Sequence, residues 1–351
     1  MKGIILHGGY GTRLGPLTFS KPKQLLQIAN KPMSQYALDD LKNAGIREIA
    51  IVIGDIYPEK VKDFYGNGSN FGVNIKYIFQ SKPLGISHAI KLCEEFIGDE
   101  KFIVYLGDNI MRKNLGNFAK SFESSSDDCK ILLCEVDNPS RFGIAEFKNN
   151  KILKIIEKPK ETNSNLAVIG IYFFNKKIFK IIENLKPSWR GELEVTDALQ
   201  LSLQNGHSIS YETVTGWWKD TGTPEDILDA NKLILETLGT GDLLNSEVLF
   251  QNKKISIATN TEIDSDVKIT EPVIIGKNCL IKNTQIGPYV SIGDNVSISG
   301  GKIENSIIMN DCILNIKNSI KSSIISNNSE INDTKSFSYQ FLLGEKSKIQ
   351  L

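Results

Sequence analysis

The scarce residues bound this chain before any motif does. Its 351 residues include only three histidines and three tryptophans, and they carry no net charge, with 41 lysines and arginines against 41 aspartates and glutamates. A balanced charge gives no basic surface for nucleic acid, and no block of like charges forms an interaction tail. The cysteines (Cys93, Cys129, Cys134, Cys279 and Cys312) are odd in number and include no Cys-x-x-Cys pair. That usage points to reduced thiols in a cytoplasmic protein and away from a zinc site. No run approaches the roughly 18 apolar residues of a membrane span. No basic leader precedes the first apolar stretch, so no signal peptide is expected. A soluble cytoplasmic protein of one or two domains is the expectation.

What is present begins at once. Gly3-Ile4-Ile5-Leu6 is too short for a helix and suits a buried parallel strand. It runs into His7-Gly8-Gly9-Tyr10-Gly11-Thr12-Arg13-Leu14 and then Lys21-Pro22-Lys23-Gln24-Leu25-Leu26. Three glycines after a strand permit φ > 0 and let bare N–H groups approach an anion. Arg13 and Lys23 add positive charge beside that cradle, which reads as a triphosphate site. A dinucleotide fingerprint is excluded, because Leu14 stands where its third glycine belongs. A Walker A loop is excluded too, because Gly11 is followed by Thr12-Arg13.

Strand and helix patterns then alternate. Residues 34–44 read as a helix closed by Gly45, 49–54 as a buried strand, 73–79 as an alternating strand and 86–96 as a helix. A third apolar run, 102–106, ends on Gly107-Asp108-Asn109. Further strands are expected at 130–136, 143–147, 152–157 and 166–174, and a helix from Pro224 to about Leu238 with Thr223 as N-cap. This is an α/β, Rossmann-like domain with a mixed sheet, whose ligands gather at the carboxyl ends of the parallel strands. The glycine loop and Asp108 both fall on that edge.

Composition changes after Gly239-Thr240-Gly241. Isoleucine recurs at 263, 269, 275, 281, 286, 292, 298 and 303, in steps of six with occasional fives. That period describes a parallel β-helix whose triangular coils stack isoleucines inward. The expected division is a catalytic domain over 1–240, a linker over 241–257, the β-helix over 258–335 and a polar tail over 336–351 whose Phe341-Leu342-Leu343 caps the coil.

Residues 1 to about 238 resemble the sugar-phosphate nucleotidyltransferases. The resemblance rests on the glycine loop, Pro22-Lys23-Gln24-Leu25-Leu26, Gln80 with Pro83-Leu84-Gly85, Leu106-Gly107-Asp108-Asn109, Arg141-Phe142-Gly143, Glu157-Lys158-Pro159, Val168 with Gly170, Arg190-Gly191-Glu192-Leu193-Glu194 and Trp218-Lys219-Asp220-Thr221-Gly222. Within that family the Lys-Gln-Leu-Leu ending is most similar to the glucose-1-phosphate thymidylyltransferases. The solenoid resembles the left-handed hexapeptide β-helix of their long type. His7 departs from the small residue usual in the loop.

The resemblance implies transfer of thymidylate from dTTP to glucose 1-phosphate, with Mg²⁺ as cofactor and pyrophosphate released. It implies Asp108 and Asp220 as metal ligands, and Arg13, Lys23 and Lys158 as catalytic cations for the triphosphate and the sugar phosphate. Gly8, Gly9, Gly11, Thr12, Gln24, Gln80 and Gly85 would bind the nucleotide, with Gln24 the weightier amide for the base. Asn109, Gly143, Glu157 and Val168 would bind the sugar. Uridylyl transfer from UTP is the alternative, and a non-catalytic regulatory homologue a more distant one. Acyl transfer by the solenoid is excluded, since His7, His88 and His207 all lie before it. The solenoid is assigned to stability and assembly of a homo-oligomer. The three tryptophans read as packing residues, and nucleic acid and membrane are not expected partners.

Overall fold

The structure is a computed structural model that describes residues 1–238, 248–252 and 254–333. The expected tail, with Phe341-Leu342-Leu343, and much of the expected linker lie outside these residues. The chain divides into two compact units. One comprises Met1–Tyr10, Ser20–Leu25 and Met33–Asp220, the other Gly11–Phe19, Leu26–Pro32 and Thr221–Leu351.

In the first unit the strands are β1 (Lys2–Leu6), β2 (Glu48–Ile53), β3 (Asn74–Phe79), β4 (Phe102–Leu106), β5 (Asn109–Met111), β6 (Cys129–Glu135), β7 (Gly143–Lys148), β8 (Lys151–Glu157), β9 (Leu166–Phe174), β10 (Ile209–Thr213) and β11 (Trp218–Asp220). The helices are α1 (Met33–Asn43), α2 (Pro58–Tyr65), α3 (Ile86–Leu92), α4 (Glu94–Ile97), α5 (Leu115–Ser124), α6 (Lys177–Glu183) and α7 (Val195–Gln204). The main sheet runs β8-β7-β9-β4-β1-β2-β3, with β6 beside β9 and β10 beside β6. β1 is parallel to β2 and β4, and β9 runs antiparallel to β4.

The strand period of two explains the layering. Ile4, Val52 and Val104 join Phe174 and Leu199 on one face, whereas Ile5, Ile51 and Tyr105 join Leu38 and Phe173 on the other. Each fully buried aliphatic side chain contributes about 1.5–3 kcal/mol. With both faces covered, these strands read as unbroken apolar runs, and only their polar ends are left for chemistry.

Two expectations change. The helix expected over 86–96 breaks at Cys93, whose φ of −89° and ψ of 1° separate α3 from α4. The Cys93 N–H bonds back to the Ile90 carbonyl, which tightens the last turn of α3. Helices α5 and α7, strand β10 and the small β5–β11 ladder were not expected. That ladder sets Asp220 opposite Asn109.

The second unit contains the solenoid. Its short parallel strands stack into three sheets, as a left-handed β-helix requires. Each strand pairs with the strand one coil on, Ile257 with Ile275 and then Ile292, and Ile281 with Ile298. Ile275, Ile281, Ile286, Ile292, Ile298 and Ile303 are buried. One row of corners is made by Asn278, Asn295, Asp311 and Asn328, all at positive φ. Asn and Asp tolerate that conformation, and here they also stack: Asn278 Nδ2 donates to Asn295 Oδ1 at 3.1 Å, and Asn295 Nδ2 to Asp311 Oδ1 at 2.9 Å.

Helix α8 (Pro224–Leu235) belongs to this unit, and Thr223 caps it by accepting from the Asp226 N–H at 3.2 Å. Its Asn231, 1% exposed, ties three segments together. Asn231 Oδ1 accepts from the Ala29 N–H at 2.9 Å and from Ser291 Oγ, in the solenoid, at 2.6 Å. Asn30 Nδ2 donates to the Ile292 carbonyl at 2.6 Å, and the Tyr289 hydroxyl donates to Glu236 Oε1 at 2.6 Å. The solenoid is therefore joined by polar contacts to α8 and to the turn at Ala29-Asn30.

Candidate active site

Parallel neighbours β1 and β4 end side by side, and the Gly107 N–H still bonds to the Leu6 carbonyl at 2.9 Å. Beyond them opens a cavity of about 420 Å³ whose lining includes Gly8, Gln24, Gln80, Gly85, Asp108 and Glu192. That volume is ample for a small ligand.

The Lys23 ammonium is ion-paired with Asp108 Oδ2. Burial raises the Asp108 carboxyl pKa, but the Lys23 charge and hydrogen bonds from Lys23 and Asn109 outweigh it and hold it below the usual carboxylate range. Asp108 is therefore an anion at neutral pH.

Asn109 is bonded on both ends of its amide. Its Oδ1 accepts from Trp218 Nε1 at 2.7 Å and from the Gly170 N–H at 3.2 Å, and its Nδ2 donates to Asp108 Oδ1 at 3.0 Å. With 2% exposure, it orients Asp108. Trp218 is its packed partner.

Gln24 and Gln80 both line the cavity, in different states. Gln24 is 1% exposed, and its buried Oε1 has no partner among the described residues. Gln80 Nε2 donates to the Gly85 carbonyl at 3.3 Å and contacts His88 Nδ1 at 2.9 Å. Its Oε1 lies beside Gly8, where a Cβ would come within 2.7 Å of it. Gly85 has φ of 103°, and a Cβ there would meet the Leu193 carbonyl at 2.5 Å, so glycine alone fits.

At the β7–β8 hairpin, Glu157 pairs across the ladder with Gly143. Thr196 Oγ1 donates to Glu157 Oε2 at 3.0 Å, and Lys158 Nζ lies 3.5 Å from Glu157 Oε1. Lys158 has φ of 43°, a left-handed conformation costing a β-carbon residue about 1–3 kcal/mol, and its N–H bonds to the Phe142 carbonyl at 3.0 Å. Val168 is buried in β9. Burial first, then the charges of Glu157, Asp108 and Asp220, push the Tyr172 phenol far up.

Gly9 lines the same cavity as Gly8. In the second unit Gly11 takes φ of 60°, Thr12–Leu14 form a single 3-10 turn, and Thr18 Oγ1 donates to the Gly11 carbonyl at 3.0 Å. The Arg13 guanidinium packs on Gly222, where a Cβ would lie 2.9 Å from Nη2.

Asp108 and Asp220 supply hard oxygens and, with Asp220 opposite Asn109, come from adjacent strand ends. Among the described residues no group of three or more His, Cys, Asp or Glu forms a metal cage. Two carboxylates fit Mg²⁺, which keeps waters and shares phosphate oxygens.

Thr196 and the role of Trp218 become visible only when distant segments meet, and His88 only once the turn between β3 and α3 brings it onto Gln80. His7 was noted only as unusual. It is 4% exposed with both ring nitrogens unpartnered among the described residues, and burial drives its pKa down to about 3 against the opposing pull of Asp108.

A Rossmann-like sheet carries a glycine-rich turn and the Lys23–Asp108 ion pair beyond the ends of its parallel strands, where the ligands of such sheets gather. The nucleotidyl transferase family profile matches residues 2–237, and a GMPPB C-terminal domain profile matches 281–351. The chain belongs to the nucleotidyl transferase family. It is 41% identical over 320 residues to the low-salt glycan biosynthesis nucleotidyltransferase Agl11 of Haloferax volcanii, covering 87% of each chain. It is 36% identical over 360 residues to a glucose-1-phosphate thymidylyltransferase of Streptomyces antibioticus, covering 100% of this chain and 99% of that one. A solved structure from Bacillus anthracis, assigned as a glucose-1-phosphate thymidylyltransferase, superposes with a TM-score of 0.65 at 40% identity, covering 72% of this chain and 98% of that one.

Proposed function

We propose that the chain transfers a thymidylyl group from dTTP to glucose 1-phosphate, giving dTDP-glucose and pyrophosphate. The observation that carries this reading is Asp108, ion-paired with Lys23, in the lining of a cavity that Gln80, Gly8 and Gly85 also line. A phosphate oxygen of the sugar phosphate attacks the α-phosphorus of dTTP. The bond from that phosphorus to the bridging oxygen breaks, and its electron pair leaves on pyrophosphate. The nucleophile is already an anion, so no general base is needed and positioning with charge neutralisation carries the rate.

Arg13 and Lys23 neutralise the triphosphate and the leaving group, with the N–H groups of Gly8, Gly9, Gly11 and Thr12 around it. Lys158 receives the sugar phosphate, Glu157 accepts from sugar hydroxyls, and the Gly143 and Val168 backbones line that side. Asn109 holds Asp108. Mg²⁺, held by Asp108 and Asp220, would supply further charge neutralisation on the phosphates.

On this reading residues 1–240 are the catalytic domain and 258–335 the β-helix, in a cytoplasmic homo-oligomer. No described helix is long and apolar enough to cross a membrane. The test is pyrophosphate release by purified protein with glucose 1-phosphate, Mg²⁺ and each of dTTP, UTP, CTP, ATP and GTP. Release with dTTP is expected. Release with a purine nucleotide alone would overturn the reading.

A further inference from the structure

Gln80 carries opposite chemistry on the two ends of one amide, a donor NH₂ and an acceptor oxygen. Which end meets a ligand depends on what holds the other. Two groups hold Nε2, the Gly85 carbonyl at 3.3 Å and His88 Nδ1 at 2.9 Å. The first lies at the long end of the useful range, so the His88 bond is the stronger restraint. The Gly85 carbonyl can only accept, which makes Nε2 the donor to both. His88 then accepts on Nδ1 and carries its proton on Nε2. Gln80 Oε1 is left beside Gly8 with no hydrogen-bond partner among the described residues, on the cavity that Gln80 and Gly8 both line.

Given the proposed nucleotide site, we infer that His88 is a positioning residue for base choice. By occupying the NH₂ end of Gln80, it leaves the pocket only the acceptor end. A pocket that offers an acceptor selects a base with a ring N–H. Thymine and uracil have that N–H, flanked by two carbonyls. Cytosine has a lone pair at the equivalent ring nitrogen, so Gln80 Oε1 would face it acceptor to acceptor. Uracil and cytosine are the same size, so size does not separate them and the orientation of the amide does. Freed from His88, the amide can turn its NH₂ inward, opposed only by the Gly85 carbonyl. Discrimination then weakens without vanishing.

The test uses full-length protein and compares kcat/KM for dTTP and for CTP. In His88→Leu the dTTP-over-CTP ratio is expected to fall about tenfold, one hydrogen bond's worth of orientation, mainly through a higher KM for dTTP with kcat little changed. In His88→Asn, Oδ1 stands near the position of Nδ1 and accepts from the same NH₂, so most of the ratio returns. An unchanged ratio in His88→Leu overturns the inference, and so does His88→Asn behaving like His88→Leu. Failure of the functional reading shows separately, as wild-type protein that does not favour dTTP over CTP.

Discussion

The Lys23 ammonium and the Asp108 carboxylate form a nearly buried ion pair, with side-chain exposures of 12% and 17%. A pair this enclosed persists because other groups support it, and here Asn109 bonds the second carboxylate oxygen. Asp108 is thus held charged and oriented in the lining of the cavity. Asp108→Asn and Asp220→Asn should each lower turnover by about a hundredfold or more while the protein stays folded. Steady-state rates at saturating Mg²⁺ with melting curves check this. A near-normal rate in either variant removes that carboxylate from the metal site.

The two amides should separate in kinetics. Gln80→Ala is expected to lower kcat/KM for dTTP and UTP alike by about ten- to a hundredfold, the cost of leaving a base N–H unpaired. Gln24 also lines the cavity, with a buried Oε1 unpartnered among the described residues, so if its position beside Lys23 gives it the greater weight, Gln24→Ala should narrow the gap between pyrimidine and purine nucleotides more than Gln80→Ala does. Parallel kinetics with dTTP, UTP, CTP and ATP decide between them.

Asn231 joins α8, the Ala29-Asn30 turn and the solenoid strand carrying Ser291. Asn231→Leu deprives the Ala29 N–H and the Ser291 hydroxyl of their acceptor, at about 1–3 kcal/mol for each buried group left unpaired. A lowered melting temperature is expected, with a smaller drop in Ser291→Ala, where the Ala29 bond survives. Equal melting of all three proteins would show that the bridge carries no stability.

Asp128, away from the cavity, gives a pH test. Burial raises its carboxyl pKa, but hydrogen bonds from Lys177, Asn175 and His207 and from the Ser208 N–H outweigh that and hold it well below the usual carboxylate range. A depressed folded-state pKa contributes stability above the unfolded value of about 3.9 and loses it as pH falls. Below pH of about 4 the wild type should therefore lose melting temperature faster than Asp128→Asn. At neutral pH that variant should be the less stable. Matching pH slopes would contradict this account.

Local signals survived into the structure. The strand before the glycine loop, the Thr223 cap and the six-residue isoleucine step all depend on neighbours in sequence. Relations set by distant pairing did not show. Asp220 meets Asn109 only through the β5–β11 ladder, and the bonds that Asn109 accepts from Trp218 and Gly170 cannot be foreseen from the sequence. Trp189 was read as packing, yet it is 87% exposed. Its turn is braced by Arg190 Nε on Glu194 Oε1 at 2.9 Å and by the Ser188 N–H on the Glu192 carbonyl at 2.8 Å, so the ring needs no burial to hold the turn. Likewise, only the fold shows that Gly11–Phe19, with Arg13, groups compactly with α8 and the solenoid.

Substrate competition tests the central claim most directly. Protein is given glucose 1-phosphate, Mg²⁺ and an equimolar mixture of dTTP, UTP, CTP, ATP and GTP, and the nucleotide sugars are resolved by mass. The account predicts dTDP-glucose as the main product, UDP-glucose second, and little from the others. UDP-glucose as the main product would make the chain a uridylyltransferase, and no nucleotide sugar at all would contradict the account outright.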